Sequence, residues 1–416
     1  MLKSIRQHPL MQLLKNNRGN PRTLILMEPL WGIPFNLIAP FTTLFMYLQG
    51  VTDRQIGLLL SLATLMQVFF SFTGGMITDR LGRKVGTMIG DFIGWAIPCF
   101  IWMVSNNFWL FLLALAVNSI EQIGATAWTC LLVEDAEEKD MFGIFTWVNI
   151  GGLVAVFFAP LAGIFIQHYS LIPVMRVLYG TFAVSATIKT IITYLYCRET
   201  KQGEVRMAET KETSVGATLK DYKTLVVKML KNNNVKKVVS MNVITRATML
   251  ISSTFFGLYM TRALNIPESY LAFFPILNAA VMLAFMVGLQ RRLEIIKFRW
   301  ALWIGLILLI TGHALLILMA PGIVPLVALY ILILAIAHAL IHPRQGALLQ
   351  LTLDVNERAR MNAVINAVSL IFLAPFGYIA GFISSIDQRL PFVLSICLFL
   401  IAILIVKCIE EPKKSE

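Results

Sequence analysis

The ten residues Gly75-Met76-Ile77-Thr78-Asp79-Arg80-Leu81-Gly82-Arg83-Lys84 lie where one long apolar run, 55–78, gives way to the next, 85–105. Each run is long enough to cross a hydrocarbon core of about 30 Å, which takes about 20 helical residues. Four charges crowded between two such runs cannot enter the core, so they read as a turn held at the membrane surface. Gly75 permits a close helix approach. Gly82 allows the chain to reverse tightly. Asp79 can face the positive N-terminus of a neighbouring helix. Arg80 and Arg83 can pair with carboxylates, and Glu134 or Asp135 at the end of the fourth apolar run are the partners expected.

Outward from this turn the pattern repeats. Twelve apolar runs occupy 23–48, 55–78, 85–105, 107–133, 142–167, 171–197, 238–261, 268–289, 299–320, 322–350, 361–384 and 389–408, most of the 416 residues. No large soluble domain fits in what remains. The composition agrees, with 57% apolar and 14% charged residues, against roughly 25% charged in soluble domains. The mean hydropathy is +0.75. The alternation over about 10 residues that marks membrane barrel strands is absent. An all-α integral membrane protein of twelve transmembrane helices is expected.

The net charge of +12 is a matter of topology. With the N-terminus assigned to the cytoplasm, 28 of the 35 Lys and Arg fall on that side. Three (Arg54, Arg262, Arg389) fall on the other side and four lie within the runs. By the positive-inside rule this puts both termini in the cytoplasm of a multi-pass protein of the cell (inner) membrane. The basic balance then serves anionic lipid, and no nucleic-acid partner is expected. Cys99, Cys130, Cys197, Cys397 and Cys408 sit in or at the ends of apolar runs without CxxC spacing, giving neither a disulfide framework nor a metal site. The first run is too long for a signal sequence and is read as an uncleaved first helix.

One long polar interruption, 198–237, divides the helices six and six. Three parts follow: an N-terminal bundle over 1–198, a cytoplasmic linker over 199–237 and a C-terminal bundle over 238–416. Within the linker, Ala217, Leu219, Tyr222, Leu225, Val226, Met229 and Leu230 are spaced for an amphipathic surface helix, whereas 199–215 reads as solvated chain. Leu10, Leu13 and Leu14 suggest a second, weaker surface helix. The halves echo each other: Phe158-Ala159-Pro160-Leu161 matches Leu373-Ala374-Pro375-Phe376, and Glu134–Lys139 resembles Asp354–Arg358. Two pseudo-symmetric six-helix bundles of one plan account for this.

The stretch from Gly75 to Lys84 resembles the G-x-x-x-D-R-x-G-R-K signature of the major facilitator superfamily, complete and in the loop between helices 2 and 3 where that family carries it. The resemblance implies that Gly75, Asp79, Arg80, Gly82, Arg83 and Lys84, with Glu134 and Asp135, are gating residues linking two bundles in one state and releasing them in another. Two other family signatures are incomplete. The helix 5 antiporter pattern survives only as Ala159-Pro160-Leu161-Ala162-Gly163, and the helix 4 pattern R-x-x-Q-G has lost its arginine in Ser119-Ile120-Glu121-Gln122-Ile123-Gly124.

Ionisable residues inside spans are costly and mark aqueous cavities or fixed partners. Glu28, Glu121, Arg246, His338, His342 and Arg344 fall in helices 1, 4, 7 and 10, which line the central cavity in this superfamily. Glu121, beside Gln122 and one face from Asn118, reads as a proton-coupling carboxyl or as a permanently paired structural one. Glu28 is either a second coupling acid or structural. His338 can relay protons or serve as a packing residue, with His342 one turn on. Arg246 and Arg344 can neutralise Glu121 or bind an anionic group of a substrate, and Arg344 can instead snorkel. Asn36, Gln122 and Asn242 are the neutral cavity residues selected. Asp91, Lys189 and His313 are read as structural, Asp91 pairing with the basic loop and Lys189 reaching the headgroups.

These residues support a proton-coupled secondary transporter working by alternating access, moving a small organic solute, foremost by efflux of an amphipathic drug or metabolite. A proton symporter taking up a sugar or small organic anion is the alternative, and a non-transporting sensor or lipid scramblase of the same fold is a third. No nucleotide-binding loop, metal cluster or nucleophile–base arrangement appears, so neither an enzyme nor an ATP-driven pump is expected. The proton gradient takes the place of a cofactor, and a monomer is expected.

Overall fold

The computed structural model describes residues 19–210, 226–229, 231–293, 298–352 and 358–409. The surface helix expected near Leu10–Leu14, most of the amphipathic stretch from Ala217 to Leu225, and the Asp354–Glu357 loop lie outside them.

The described residues form helices and no strand. The first span is α1 (Asn20–Ile38), a 3-10 turn (Ala39–Phe41) and α2 (Thr42–Leu48). Prolines 29 and 34 are absorbed within α1, and the break falls beside Pro40. The second span is α3 (Asp53–Leu81). The third is α4 (Arg83–Asp91), a π turn (Phe92–Ala96) and α5 (Ile97–Val104). The fourth is α6 (Phe108–Asn118) and α7 (Glu121–Val133). The fifth is α8 (Glu138–Val156) with α9 (Ala159–Tyr169), and the sixth is α10 (Leu171–Tyr196). After α11 (Lys201–Glu209) come α12 (Asn233–Leu258) with its π turn (Tyr259–Ala263), α13 (Phe273–Leu293), α14 (Phe298–Leu318), α15 (Val324–Thr352), α16 (Arg358–Ser384) and α17 (Leu390–Lys407).

Eleven of these spans are long and apolar enough to cross a membrane. The twelfth expected run, 268–289, falls on a 3-10 turn (Glu268–Ala272) and α13. Helices suit this setting because each satisfies its own backbone groups in a medium that offers no water. Large apolar side chains point outward along them, including Phe69, Trp109, Leu318 and Leu404, as a lipid-facing surface requires. The ends are set by local chemistry: Asn107 caps α6 by accepting from the Leu110 amide at 3.1 Å, and Asn232 caps α12 through the amides of Asn234 and Val235. Gly82, at φ +90°, makes the turn between α3 and α4.

The chain divides into two compact units, Met1–Ala39 with Met66–Val215, and Pro40–Leu65 with Gly216–Glu416. In the first, α1 packs on α8 and α10, and α4 packs on α7. In the second, α14 packs on α15 and α17, and α12 on α16 and α17. The boundaries differ from the sequence partition in two places. Residues 40–65 group with the second unit because Gly57 and Ser61 offer a small face to α16. Ser61 donates to the Ala374 carbonyl and accepts from the Tyr378 amide at 2.7 Å, and Asp53 pairs with Arg262 at 2.9 Å. Residues 199–210 group with the first unit. The stretch expected as solvated chain is instead the helix α11, begun by Thr200, whose hydroxyl accepts from the Gly203 amide at 2.9 Å.

Candidate functional site: a charged cavity beside two deformed helices

The third and fourth spans approach until their backbones touch. Gly90 and Gly124 face each other so closely that a Cβ on either would overlap the other's backbone, and a Cβ on Gly94 would lie 2.8 Å from the Glu121 nitrogen. At this contact both spans abandon regular helix. The π turn Phe92–Ala96 widens the third, and a turn at Ser119–Ile120 interrupts the fourth. Asn118 ties them by donating to the Gly94 carbonyl at 2.7 Å. Glu121 is the first residue of α7, directly after this turn, at the level where Gly94 of the third span meets its backbone. Paired distortions of this kind recur at functional sites.

Beside the contact lies a cavity of about 240 Å³ within the first unit, and Glu28, Asp91, Glu121 and Lys189 all line it. Asp91 and Lys189 form an ion pair at 3.0 Å, with side chains only 10% and 5% exposed. The sequence reading sent Asp91 to the basic loop and Lys189 to the headgroups. Both expectations are corrected, because α4 packs on α10 as well as on α7 and brings Asp91 to Lys189. Glu28 lies within electrostatic reach of Lys189 and Asp91. Glu121 accepts from the Gln122 amide at 3.0 Å and is hydrogen-bonded to the Trp95 side chain. Trp31, Trp95 and Trp128 complete the wall, with Trp31 and Trp95 edge to face at 5.3 Å.

The turn at Gly75–Lys84 is built as a second charged cluster. The Arg83 guanidinium, 5% exposed, bridges Asp79 at 2.8 Å and Glu134 at 3.0 Å. Glu134 accepts also from the Thr200 hydroxyl at 2.6 Å, and Asp135 accepts from the Lys201 amide at 3.2 Å. Asp79 is held by Arg83. The start of α4 is capped by Glu199, whose two oxygens accept from the amides of Arg83 (2.8 Å) and Lys84 (3.0 Å). The Lys84 ammonium sits 4.9 Å over the Tyr194 ring, and Arg80 is exposed. Among the described residues a Cβ added at Gly75 would meet nothing within 4 Å, whereas one added at its neighbour Gly74 would stand 3.4 Å from the Ile123 backbone. Sequence reasoning missed Glu199, and nothing local marked it, since its partners lie more than 110 residues earlier.

The remaining expected cavity residues have local partners. Asn36 donates to the Gly32 carbonyl one turn back at 2.8 Å. In the second unit, Arg246 donates to Asn366 at 2.8 Å, and Arg344 to the Leu340 carbonyl of its own helix at 3.2 Å. His338 and His342 have ring centres 5.0 Å apart. The Asn242 side-chain oxygen is buried without a partner among the described residues. His313, read as having no visible partner, meets the Ser252 hydroxyl at 3.2 Å and the Leu309 carbonyl at 2.9 Å. Of the residues singled out from sequence for coupling or cavity, Glu28 and Glu121 line the 240 Å³ cavity.

The family model described as Major Facilitator Superfamily matches residues 30–291, more than half of the chain. The chain belongs to the Major Facilitator Superfamily. It is 26% identical over 167 residues to an uncharacterized MFS-type transporter, YqjV, of Bacillus subtilis (strain 168), covering 39% of this chain and 40% of that protein. It is 26% identical over 176 residues to the multidrug resistance protein MdtG of Serratia proteamaculans (strain 568), covering 41% and 42%. The matches thus span about two fifths of these relatives. Among solved structures, a nucleoside transporter, NupG, aligns at TM-score 0.75 and 14% identity over 94% of this chain and 99% of that one. A POT family transporter in complex with a thioalcohol-conjugated peptide aligns at 0.69 and 14% identity, over 93% and 94%. At such identities these likenesses establish the shared fold.

Proposed function

We propose that this chain is a proton-coupled secondary transporter that exports a small organic solute across the cell membrane by alternating access, with both termini in the cytoplasm. The observation that carries this reading is the cavity where Glu28 and Glu121 stand beside a buried Asp91–Lys189 pair and a pair of deformed helices. Carboxyls in such a place gain or lose a proton according to whether water reaches them and whether a cation faces them, which is the property coupling requires. Export is favoured over uptake by the similarity to MdtG, named a multidrug resistance protein. The cluster around Arg83 serves as the gate: its charge pairs are few enough to break and re-form within one transport cycle, and through Glu199, Thr200 and Lys201 they fasten the α11 segment to the same turn.

The test is solute movement in everted membrane vesicles under an imposed pH gradient. Glu121→Gln is expected to abolish gradient-driven accumulation while exchange of solute across the membrane without a gradient persists. Undiminished gradient-driven accumulation in both Glu121→Gln and Glu28→Gln would reject the coupling role.

A further inference from the structure

We propose that the cavity of the first unit binds a small organic ammonium ion carrying an oxygen acceptor, such as an amino alcohol; this names the substrate class of the transporter proposed above and rests on that reading. Four observations lead there. The charged side chains facing the cavity are Glu28 from α1, Asp91 from α4, Glu121 from α7 and Lys189 from α10, three acids against one base. The fifth span, which packs on α1, meets Glu28 with Gly151 and adds no charge at that point. Lys189 is committed to Asp91, so the site is short of positive charge.

The walls also suit a cation. Trp31, Trp95 and Trp128 surround the acids, and indole faces are the strongest aromatic partners for ammonium groups. Two buried polar atoms on this wall then define the occupant's polarity. Asp91 is 7% exposed, and its second carboxylate oxygen has no donor among the described residues; the Trp128 indole nitrogen has no acceptor. Buried polar atoms are ordinarily paired, because leaving one unpaired costs about 1–3 kcal/mol. A donor hydrogen, on the ammonium or on a hydroxyl, directed at Asp91 and an oxygen directed at Trp128 satisfy both at once, which a cation without an oxygen does not. Size decides the rest. At about 240 Å³ the cavity is smaller than the roughly 300–1,000 Å³ of drug-sized pockets, which suits a small solute.

The experiment is calorimetric titration of the purified full-length protein, without a pH gradient, using ethanolamine, choline, tetramethylammonium and the neutral choline isostere 3,3-dimethyl-1-butanol. Saturable binding of ethanolamine or choline is expected, with tetramethylammonium weaker for want of an oxygen and the neutral alcohol at least about tenfold weaker still. Glu121→Gln, which keeps side-chain volume, and Trp128→Phe, which keeps an aromatic ring and removes the indole N–H, are each expected to weaken binding about tenfold or more while the melting temperature stays near wild type. If either variant unfolds, the isostere comparison in the wild-type protein decides alone. Equal binding of choline and its neutral isostere, or no saturable binding of any ammonium, overturns the proposal. Loss of gradient-driven transport in the vesicle assay bears on coupling and leaves this ligand assignment to be judged separately.

Discussion

Removing the Lys189 charge tests the buried ion pair most directly. At 3.0 Å, with both side chains at least nine-tenths buried, the attraction is on the order of 5 kcal/mol at an effective dielectric of about 20. Much of that offsets the cost of burying the charges, so the net worth of the pair is small, yet stranding one partner is expensive, about 3–5 kcal/mol. Lys189→Met strands Asp91 and also removes the cation nearest Glu28, so it belongs at the upper end of that range. Asp91→Asn leaves Lys189 with Glu28 still in reach, and its cost is expected to be lower, about 2 kcal/mol. The double variant removes both charges and is expected to lie within about 1 kcal/mol of wild type. The coupling between the two sites is therefore several kcal/mol and opposite in sign to the single effects. Equilibrium unfolding of the protein in mixed micelles, followed by circular dichroism while the denaturing detergent fraction is raised, measures all four species. Additive single effects, or a Lys189→Met variant as stable as wild type, would refute the buried pair and with it the electrostatic account of the cavity.

The other predictions concern the frame of the site. Gly94→Ala places a methyl 2.8–2.9 Å from the backbone of Glu121. The third and fourth spans must then part by about 0.6 Å, costing about 1–3 kcal/mol, and denaturation together with ligand titration should show stability and affinity falling in step. Glu199→Gln weakens the charged cap on the Arg83 and Lys84 amides. About 1 kcal/mol is expected there, seen as roughly fivefold faster hydrogen exchange over 201–209. Cys197, buried among Leu24, Ile25 and Leu131 just beyond the sixth span, has its thiol pushed up to about 11 by burial. Maleimide attacks through the thiolate, so at pH 7.5 the exposed Cys408 should label and Cys197 should not, with Cys197 labelling rising only as the pH climbs toward 11.

Much of the fold was legible because membrane spans are read from local hydropathy, and the turn at Gly75–Lys84 carries its pairing chemistry within ten residues. Arg83 meets Glu134, one of the two carboxylates expected from the short list of nearby acids, while its second partner, Asp79 four residues away, is read from sequence as facing a helix N-terminus instead. Asp91 and Lys189 were not legible as a pair, since 98 residues separate them and each had a plausible nearer destination. The break at Ser119–Ile120 has neither Gly nor Pro to announce it. A usable signal did exist: Gly86, Gly90 and Gly94 recur every fourth residue on one face of the third span, the small-residue pattern that lets helices touch in membranes. Read that way, it would have pointed to the fourth span and its Gly124, and so to the place where Glu121 enters the cavity.

Stability alone does not account for what is gathered there. A helix pair that touches at Gly90 and Gly124 could close with apolar side chains and regular hydrogen bonding, and replacing buried ion pairs by packed apolar groups is often neutral or stabilising. This chain instead holds three acids and a lysine on four different helices, interrupts two of those helices at the same level, and leaves a carboxylate oxygen and an indole nitrogen on the cavity wall without partners among the described residues. Each departure has its own cost, and they coincide within one cavity whose volume suits a small solute. Close contacts at Gly90–Gly124 and at Gly94 fix the backbone of Glu121 at the cavity wall, which is where the proposed coupling and the proposed cation site both need a carboxyl.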